Sequence, residues 1–212
     1  MKKHFYILGA LCLTFVLASC GGDESSDKEG EGEAKEQKCF YSLNQDSYEL
    51  NFTAYKTTGK LPVGGTFNEV SFTAGESEDM EGAITSIEFE INTGSVETND
   101  EGRNAKIVEH FFGTINTPTI TGNVKSIDPD AGSAVVTFVM NGLSVDVPGT
   151  FTMDGEDFSF KTEVDVQKWN ALSGIEALNT ICEDLHTGDD GVSLLWQLVD
   201  VSFSGSLNKD CE

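Results

Sequence analysis

Four residues carry the strongest chemical signal in this chain. Leu17-Ala18-Ser19-Cys20 closes a short apolar run with two small residues and a cysteine. Bacterial lipoprotein signals have this pattern: the chain is cut before the cysteine and its sulfur is acylated. Lys2 and Lys3 supply a basic start, and Phe5 to Leu17 is an apolar stretch of signal length, too short to span a bilayer as a helix. The expectation is a lipoprotein signal over residues 1–19 and a lipid on Cys20. That lipid would be the membrane anchor, because no other apolar run in the sequence reaches spanning length.

The other candidates for chemistry are three cysteines, two histidines and two cations. Cys39, Cys182 and Cys211 remain after processing, an odd number for an oxidising compartment. Cys39 and Cys211 lie at the two ends of the domain and become neighbours if the fold closes its first strand against its last. This favours a Cys39–Cys211 disulfide, with Cys182 as an alternative partner for either. Cys182 and His186 stand four apart on a predicted helix, with Asp184, Asp189 and Asp190 nearby. Two ligands and exposed acids do not make a closed metal site, so no metal or other cofactor is expected. A Cys182 thiolate activated by His110 or His186 is chemically conceivable, but oxidation to a disulfide is the more economical fate. His110 reads as a helix-end or rim residue. Arg103 and Lys106 either meet a headgroup or phosphate, or pair with Glu101 and Glu109 on their own helix. The sequence has no Gly-x-Ser-x-Gly elbow and no phosphate-cradling Gly-rich loop with its lysine. No catalytic set is assembled, so a non-enzyme is expected.

Charge narrows the partners. Thirty-six acids against thirteen bases give a formal net charge of −23, and loss of Lys2 and Lys3 with the signal makes it more negative. A nucleic-acid partner needs a basic face to displace counterions and is excluded on this ground. Residues 21–38 are Gly, Ser, acids and lysines with one Ala and one Gln, and no large apolar side chain. They cannot offset their ordering entropy, so residues 20–38 are expected to form the lipidated start of an extended, disordered tether. Residues 39–212 then fit one domain, large enough for a real core or a lined cavity.

Strands must position whatever the domain binds. Leu50, Phe52 and Ala54 alternate with polar neighbours, as do Ile87, Phe89 and Ile91, Phe158 to Val166, and Val199, Val201 and Phe203. Period two marks a strand with one buried face. Eight strands are predicted, near 46–56, 65–74, 83–93, 118–127, 132–141, 143–153, 156–168 and 193–207. Asn141-Gly142 and Asp154-Gly155 predict tight hairpins. Residues 101–112 carry Ala105, Val108, Phe111 and Phe112 at helical spacing behind Asp100 as a cap. Residues 171–186 carry Leu172, Ile175, Leu178, Cys182 and Leu185 on one face. The fold class is therefore mainly β: an eight-stranded antiparallel barrel with two short helices, a size that holds one small ligand. Its outward polar residues exclude a membrane-spanning barrel.

The order of these motifs resembles the YceI-like family of lipid-binding proteins. Tyr55-Lys56-Thr57-Thr58-Gly59-Lys60-Leu61-Pro62-Val63-Gly64-Gly65-Thr66-Phe67 is similar to the family's entry segment. Ser95-Val96-Glu97-Thr98, Arg103-Asn104 and Phe111-Phe112 resemble its helix segment, with Asn104 where the family has an acid. Thr119-Ile120-Thr121, Met140-Asn141-Gly142, Asp184-Leu185-His186-Thr187-Gly188 and Gly191 to Trp196 complete the order. The resemblance implies a lipocalin-like barrel whose long apolar cavity takes an isoprenoid or fatty chain. It would serve sequestration or transport in the cell envelope, either periplasmic or surface-exposed. Among fourteen phenylalanines and two tryptophans, the expected lining is Phe52, Phe67, Phe89, Phe112, Phe138, Phe160, Trp196 and Phe203. The competing expectation is a surface-interaction or structural module whose aromatics fill a solid core. A connected apolar cavity of several hundred Å³ would separate the two. The oligomeric state is open.

Overall fold

The alternating segments form an antiparallel sheet of ten strands in a computed structural model that describes residues 37–212. The predicted signal, Cys20 and the tether as far as Glu36 lie outside the described residues. The strands are β1 (Cys39–Lys56), β2 (Leu61–Phe67), β3 (Val70–Thr73), β4 (Glu88–Asn92), β5 (Val96–Glu97), β6 (Thr119–Asp128), β7 (Ser133–Met140), β8 (Leu143–Asp154), β9 (Asp157–Asp165) and β10 (Leu198–Cys211). Their order in the sheet is β3-β4-β6-β7-β8-β9-β10-β1-β2-β5.

The count of eight strands is corrected to ten for two local reasons. The predicted strand 65–74 breaks at Asn68-Glu69, and the short β5 adds a partner for β2. The break also shapes the sheet. β2 pairs with β1 near one end of the order, and β3 pairs with β4 at the other. Consecutive residues thus serve opposite ends of the sheet, which must curl to let them.

The turn chemistry follows the sequence closely. Asn141 and Gly142 both take positive φ, 49° and 70°, in the two-residue loop between Met140 and Leu143. That is the left-handed geometry a tight hairpin needs. The next hairpin turns on Gly155-Glu156, one residue later than predicted, with Gly155 at φ 61°.

Among the described residues four α-helices accompany the sheet: α1 (Met80–Thr85), α2 (Glu101–Lys106), α3 (Leu172–Ile181) and α4 (Glu183–His186). Helix α1 overlaps the start of the stretch predicted as a strand over 83–93 and precedes β4. Asp79 caps it, its carboxylate accepting from Gly82 N–H at 2.6 Å. Ala83 and Ile84 of α1 are almost fully buried, in contact with the core. Asp79 ahead of this segment was the cap signal that the alternation obscured.

The interior has two parts. One cluster contains Leu43, Ile84, Ile87, Val136, Phe158, Phe160 and Leu207; the other contains Phe111, Phe112, Ile115, Met140, Trp169 and Ala171. Each long strand runs from one part to the other on a single face. On β1 the row passes from Leu43 towards Phe52 and Ala54, and on β10 from Val199 and Val201 towards Phe203 and Leu207. β1 and β10 pair along their length, and Cys39 and Cys211 stand opposite each other and form a disulfide. Cys182 is a buried free cysteine.

Candidate functional site

The second part of the interior is hollow. A cavity of about 180 Å³ lies there, and every residue of its wall is apolar or tryptophan. β1 contributes Leu50, Phe52 and Ala54 from one face, and β10 contributes Val199 and Val201. Trp169 is fully buried on the wall. Its indole Nε1 donates to the Phe138 carbonyl at 3.2 Å, and its own carbonyl accepts from Asn141 Nδ2 at 2.8 Å. A buried indole stays apolar towards the cavity only because its one donor is satisfied behind it.

Helices cover the hollow part. After α2 the chain continues as a π-helical turn over Ile107–Phe112. Gly113 N–H donates to the Val108 carbonyl, and Thr117 N–H to the Phe112 carbonyl, five residues back in both cases. The wider turn places residues i+4 and i+5 over residue i, so Ile107, Phe111 and Phe112 all face the cavity. The expected α-helical spacing put Val108 on that face instead; the π turn replaces it with Ile107. Helix α3 adds Ile175 and Leu178. Its Gly174 lies so close to Phe111 that a Cβ would come within 2.8 Å of the ring, so a larger residue there would push α3 off the π turn.

Of the eight predicted lining residues, Phe52, Phe67, Phe112, Phe138 and Trp196 are on the cavity wall. Phe89, Phe160 and Phe203 are not, and their expected place in the lining is corrected. Phe89 and Phe160 fold over glycines of neighbouring strands. A Cβ on Gly122 would sit 2.3 Å from the Phe89 ring, and one on Gly149 2.4 Å from the Phe160 ring. These rings lie flat on the sheet and fill the first part of the interior. Phe203 packs among Tyr48, Phe72 and Phe158 in that part. Leu50, Ile91, Ile120, Met140 and Trp169 are wall residues the sequence did not single out. The row Leu50-Phe52-Ala54 was the available signal for the first of them.

The comparisons with known proteins fall on this geometry. The profile of the YceI-like domain matches residues 41–204. The chain belongs to the YceI-like family. Its structural likenesses carry the same fold at low identity. A polyisoprenoid binding domain from Saccharophagus degradans, implicated in plant cell wall breakdown, superposes with a TM-score of 0.59 and 17% identity, covering 80% of this chain and 98% of that one. BcnA of Burkholderia cenocepacia superposes with a TM-score of 0.51 and 14% identity, covering 79% of this chain and 99% of that one. No curated protein matches the sequence.

Polar contacts surround the wall residue Trp196 in this YceI-like domain. Trp196 lines the cavity while its Nε1 donates to the Thr57 carbonyl at 2.8 Å. The Lys60 ammonium lies 4.6 Å from the centre of the Trp196 ring and 5.6 Å from that of Tyr55. Asp200 accepts from the Tyr55 hydroxyl at 2.5 Å and raises the phenol pKa. Thr58 donates to Asp190 at 2.7 Å, which lowers that carboxyl's pKa. These contacts tie the β1–β2 turn to the segment before β10.

Arg103 is committed locally. It lies 3.6 Å from Asp100 and donates to the Thr98 carbonyl at 3.3 Å. Asn104, at the position where the family has an acid, accepts through Oδ1 from the Thr98 N–H and hydroxyl at 2.9 and 2.7 Å. The amide holds the helix entry as an acid would, without its charge. Among the described residues no group of three or more His, Cys, Asp and Glu is placed to hold a metal. His110 lies near Glu109 at 3.8 Å.

His186 is buried, and its Nδ1 meets Asn179 Oδ1 at 2.8 Å. Burial first, then the Lys56 and Lys106 charges, hold its pKa below the ordinary 6.5. Above that pH both folded and unfolded chains carry a neutral ring. As the pH falls below it, the unfolded chain takes the proton first, so stability is lost towards the lower folded pKa. The loss is at most about 1.4 kcal/mol per pH unit for one proton. Urea unfolding at pH 7 and 5.5 is expected to show a larger loss for the wild type than for His186→Gln. Equal losses in the two proteins would remove His186 from the acid response.

Proposed function

We propose that this protein binds a long apolar ligand, an isoprenoid or fatty chain, by burying it in the cavity between the curled sheet and the helices. It does no chemistry on that chain. The observation that carries the reading is a wholly apolar cavity in a YceI-like fold. A hydrocarbon entering it leaves water for an apolar wall, worth about 25 cal/mol per Å² buried, and needs few polar contacts. The polyisoprenoid binding domain with the same fold supports the chain-like ligand. The Leu17-Ala18-Ser19-Cys20 motif supports a second part of the proposal: the protein is a lipoprotein of the bacterial envelope, held to a membrane through Cys20 and an acidic tether.

The cavity is smaller than the several hundred Å³ a drug-sized ligand occupies. A dry apolar cavity of about 150 Å³ takes one benzene-sized guest. A longer chain therefore requires the π turn, α3 or the segment before β10 to move outward. The same modest volume favours the second reading, a nearly filled module displayed for surface contact. Native mass spectrometry of protein purified without detergent decides between them. The expected result is a bound species whose mass matches an isoprenoid or fatty compound and which organic extraction removes. Protein that carries none, and takes up none of an added fatty or prenyl chain, sinks the ligand-binding reading.

A further inference from the structure

The cavity ends at a layer of aromatic rings that the strand register lays across the sheet. Two transverse rows form it. In one, Phe72 on β3 stands opposite Phe89 on β4, Phe89 opposite Gly122 on β6, Gly122 opposite Phe138 on β7, and Phe138 opposite Val145 on β8. In the other, Phe151 on β8 stands opposite Phe160 on β9, Phe160 opposite Phe203 on β10, and Phe203 opposite Leu50 on β1. Residues paired in this way share one face of a sheet, here the inner one. Rings from different strands then meet. The Phe89 and Phe138 centroids are 5.4 Å apart, and Phe72 joins the two rows by packing at 5.7 Å from Phe203. Edge-to-face and tilted rings at these distances pack without gaps between them.

This layer divides the interior. Two residues along the strands on one side, Phe52, Ile91, Ile120, Met140 and Val201 all line the cavity. Two residues along on the other side, Ile87, Val124 and Val136 belong to the filled cluster. Phe138 belongs to both: it is on the cavity wall and packs against both clusters. The Trp169 indole holds its backbone by donating to its carbonyl. Beyond it, Phe89 rests on Gly122, and Ala83 and Ile84 of α1 close the filled part. A chain entering from the helix side therefore meets a floor and cannot run the full length of the sheet. The open space is about 180 Å³. That is a little more than the dry cavity of about 150 Å³ that takes one benzene, so it holds on the order of eight carbons of a chain.

We propose that Phe138, backed by Phe89, is a length gauge: the protein buries only the terminal carbons of an apolar chain, about eight of them. A longer remainder emerges on the helix side, where the covering elements must part for it. The proposal rests on the ligand-binding reading and specifies what that site recognises, the apolar end of a chain rather than its whole length.

The test is a chain-length series on the purified protein. Hexanoate, octanoate, decanoate, dodecanoate and tetradecanoate are titrated below their micelle concentrations. The fluorescence of Trp169 and Trp196, both on the wall, reports binding. Affinity is expected to rise roughly fourfold with each carbon that is buried, and to level off near decanoate. From decanoate to tetradecanoate the expected gain is below about threefold, against roughly 250-fold if burial continued at the same rate. Phe138→Ala joins the cavity to the space the ring filled, so its rise is expected to continue, by at least about tenfold from decanoate to tetradecanoate. Phe138→Leu, a milder truncation, is expected to move the series in the same direction by a smaller step. The wild-type series needs no variant and decides the existence of the floor even where Phe138→Ala does not fold. A wild-type affinity that climbs steadily through tetradecanoate overturns the floor and leaves the cavity reading standing. Folded Phe138 variants that level off where the wild type does overturn the role of Phe138. If none of the chains binds, the ligand-binding reading falls and the gauge with it.

Discussion

Ala54→Phe is expected to reduce the affinity for an apolar chain at least tenfold while the protein still folds. Ala54 is the smallest side chain that β1 presents to the cavity, next to Phe52 and Leu50 on the same face. A phenyl ring there occupies space that in the wild type is empty, so it removes the volume a ligand needs. It also extends the packing of Val199 and Trp196 across the gap. Overpacking of a filled core costs typically 1–3 kcal/mol. Filling a true void costs less and can stabilise, because apolar contact replaces empty space. The two readings of the protein therefore predict opposite stability effects. Binding of a fluorescent fatty chain and a thermal melt on the same sample measure both. Unchanged binding with a markedly lowered Tm would mean that the position is packed core and the cavity is not the site.

Loss of the Cys39–Cys211 disulfide is expected to be the largest single effect on stability. The two residues are 172 apart in sequence, so the bridge closes nearly the whole domain. Restricting so long a loop in the unfolded chain contributes about 3–5 kcal/mol. For a domain of this size that corresponds to a fall in Tm of about 10–15 °C. β1 and β10 remain paired through eleven residue pairs without it, from Cys39–Cys211 to Thr53–Asp200. The fold should therefore persist at room temperature, frayed where Lys38 and Glu212 are now held together by a backbone hydrogen bond. Thermal melts of the double serine variant, and of the wild type with and without reductant, check this. Cys182 is buried and unpaired, so Cys182→Ser should not reproduce the shift. A double variant that melts with the wild type would show that strand pairing alone fixes the ends.

Much of the scaffold was legible because period-two alternation survives wherever one face of a strand meets the core. β6, β7, β8 and β9 lie close to their predicted spans, β10 runs Leu198–Cys211 where 193–207 was predicted, and Asn141-Gly142 sets its hairpin as its residue types require. The misreadings have local causes. Ala83, Thr85 and Ile87 continue the odd-numbered row of Phe89 and Ile91, so alternation masked the helix, whose own signal was Ile84 and Ile87 three residues apart. The bend at Asn68-Glu69 leaves no apolar gap, so β2 and β3 read as one strand. At Ile107–Phe112 the wider turn, with Gly113 N–H bonded five residues back to the Val108 carbonyl, has no signature in residue type, so the α-helical template kept Val108 on the inner face.

The sequence by itself determined the mainly β class, the YceI-like order of motifs and the aromatic supply for an apolar interior. It also placed the cysteines at the two ends of the domain, where pairing of the first strand with the last joins them. Tertiary structure alone decided which aromatics face empty space. Phe52 and Phe160 are alike in type and in alternation, and both lie against glycines of neighbouring strands. What separates them is distance along the sheet. Phe160 lies in the part where rings from several strands, with α1 against them, fill the interior, and Phe52 in the part covered by α3 and the π turn. A cavity is volume left over after many side chains have packed, and no single residue's type or spacing encodes it.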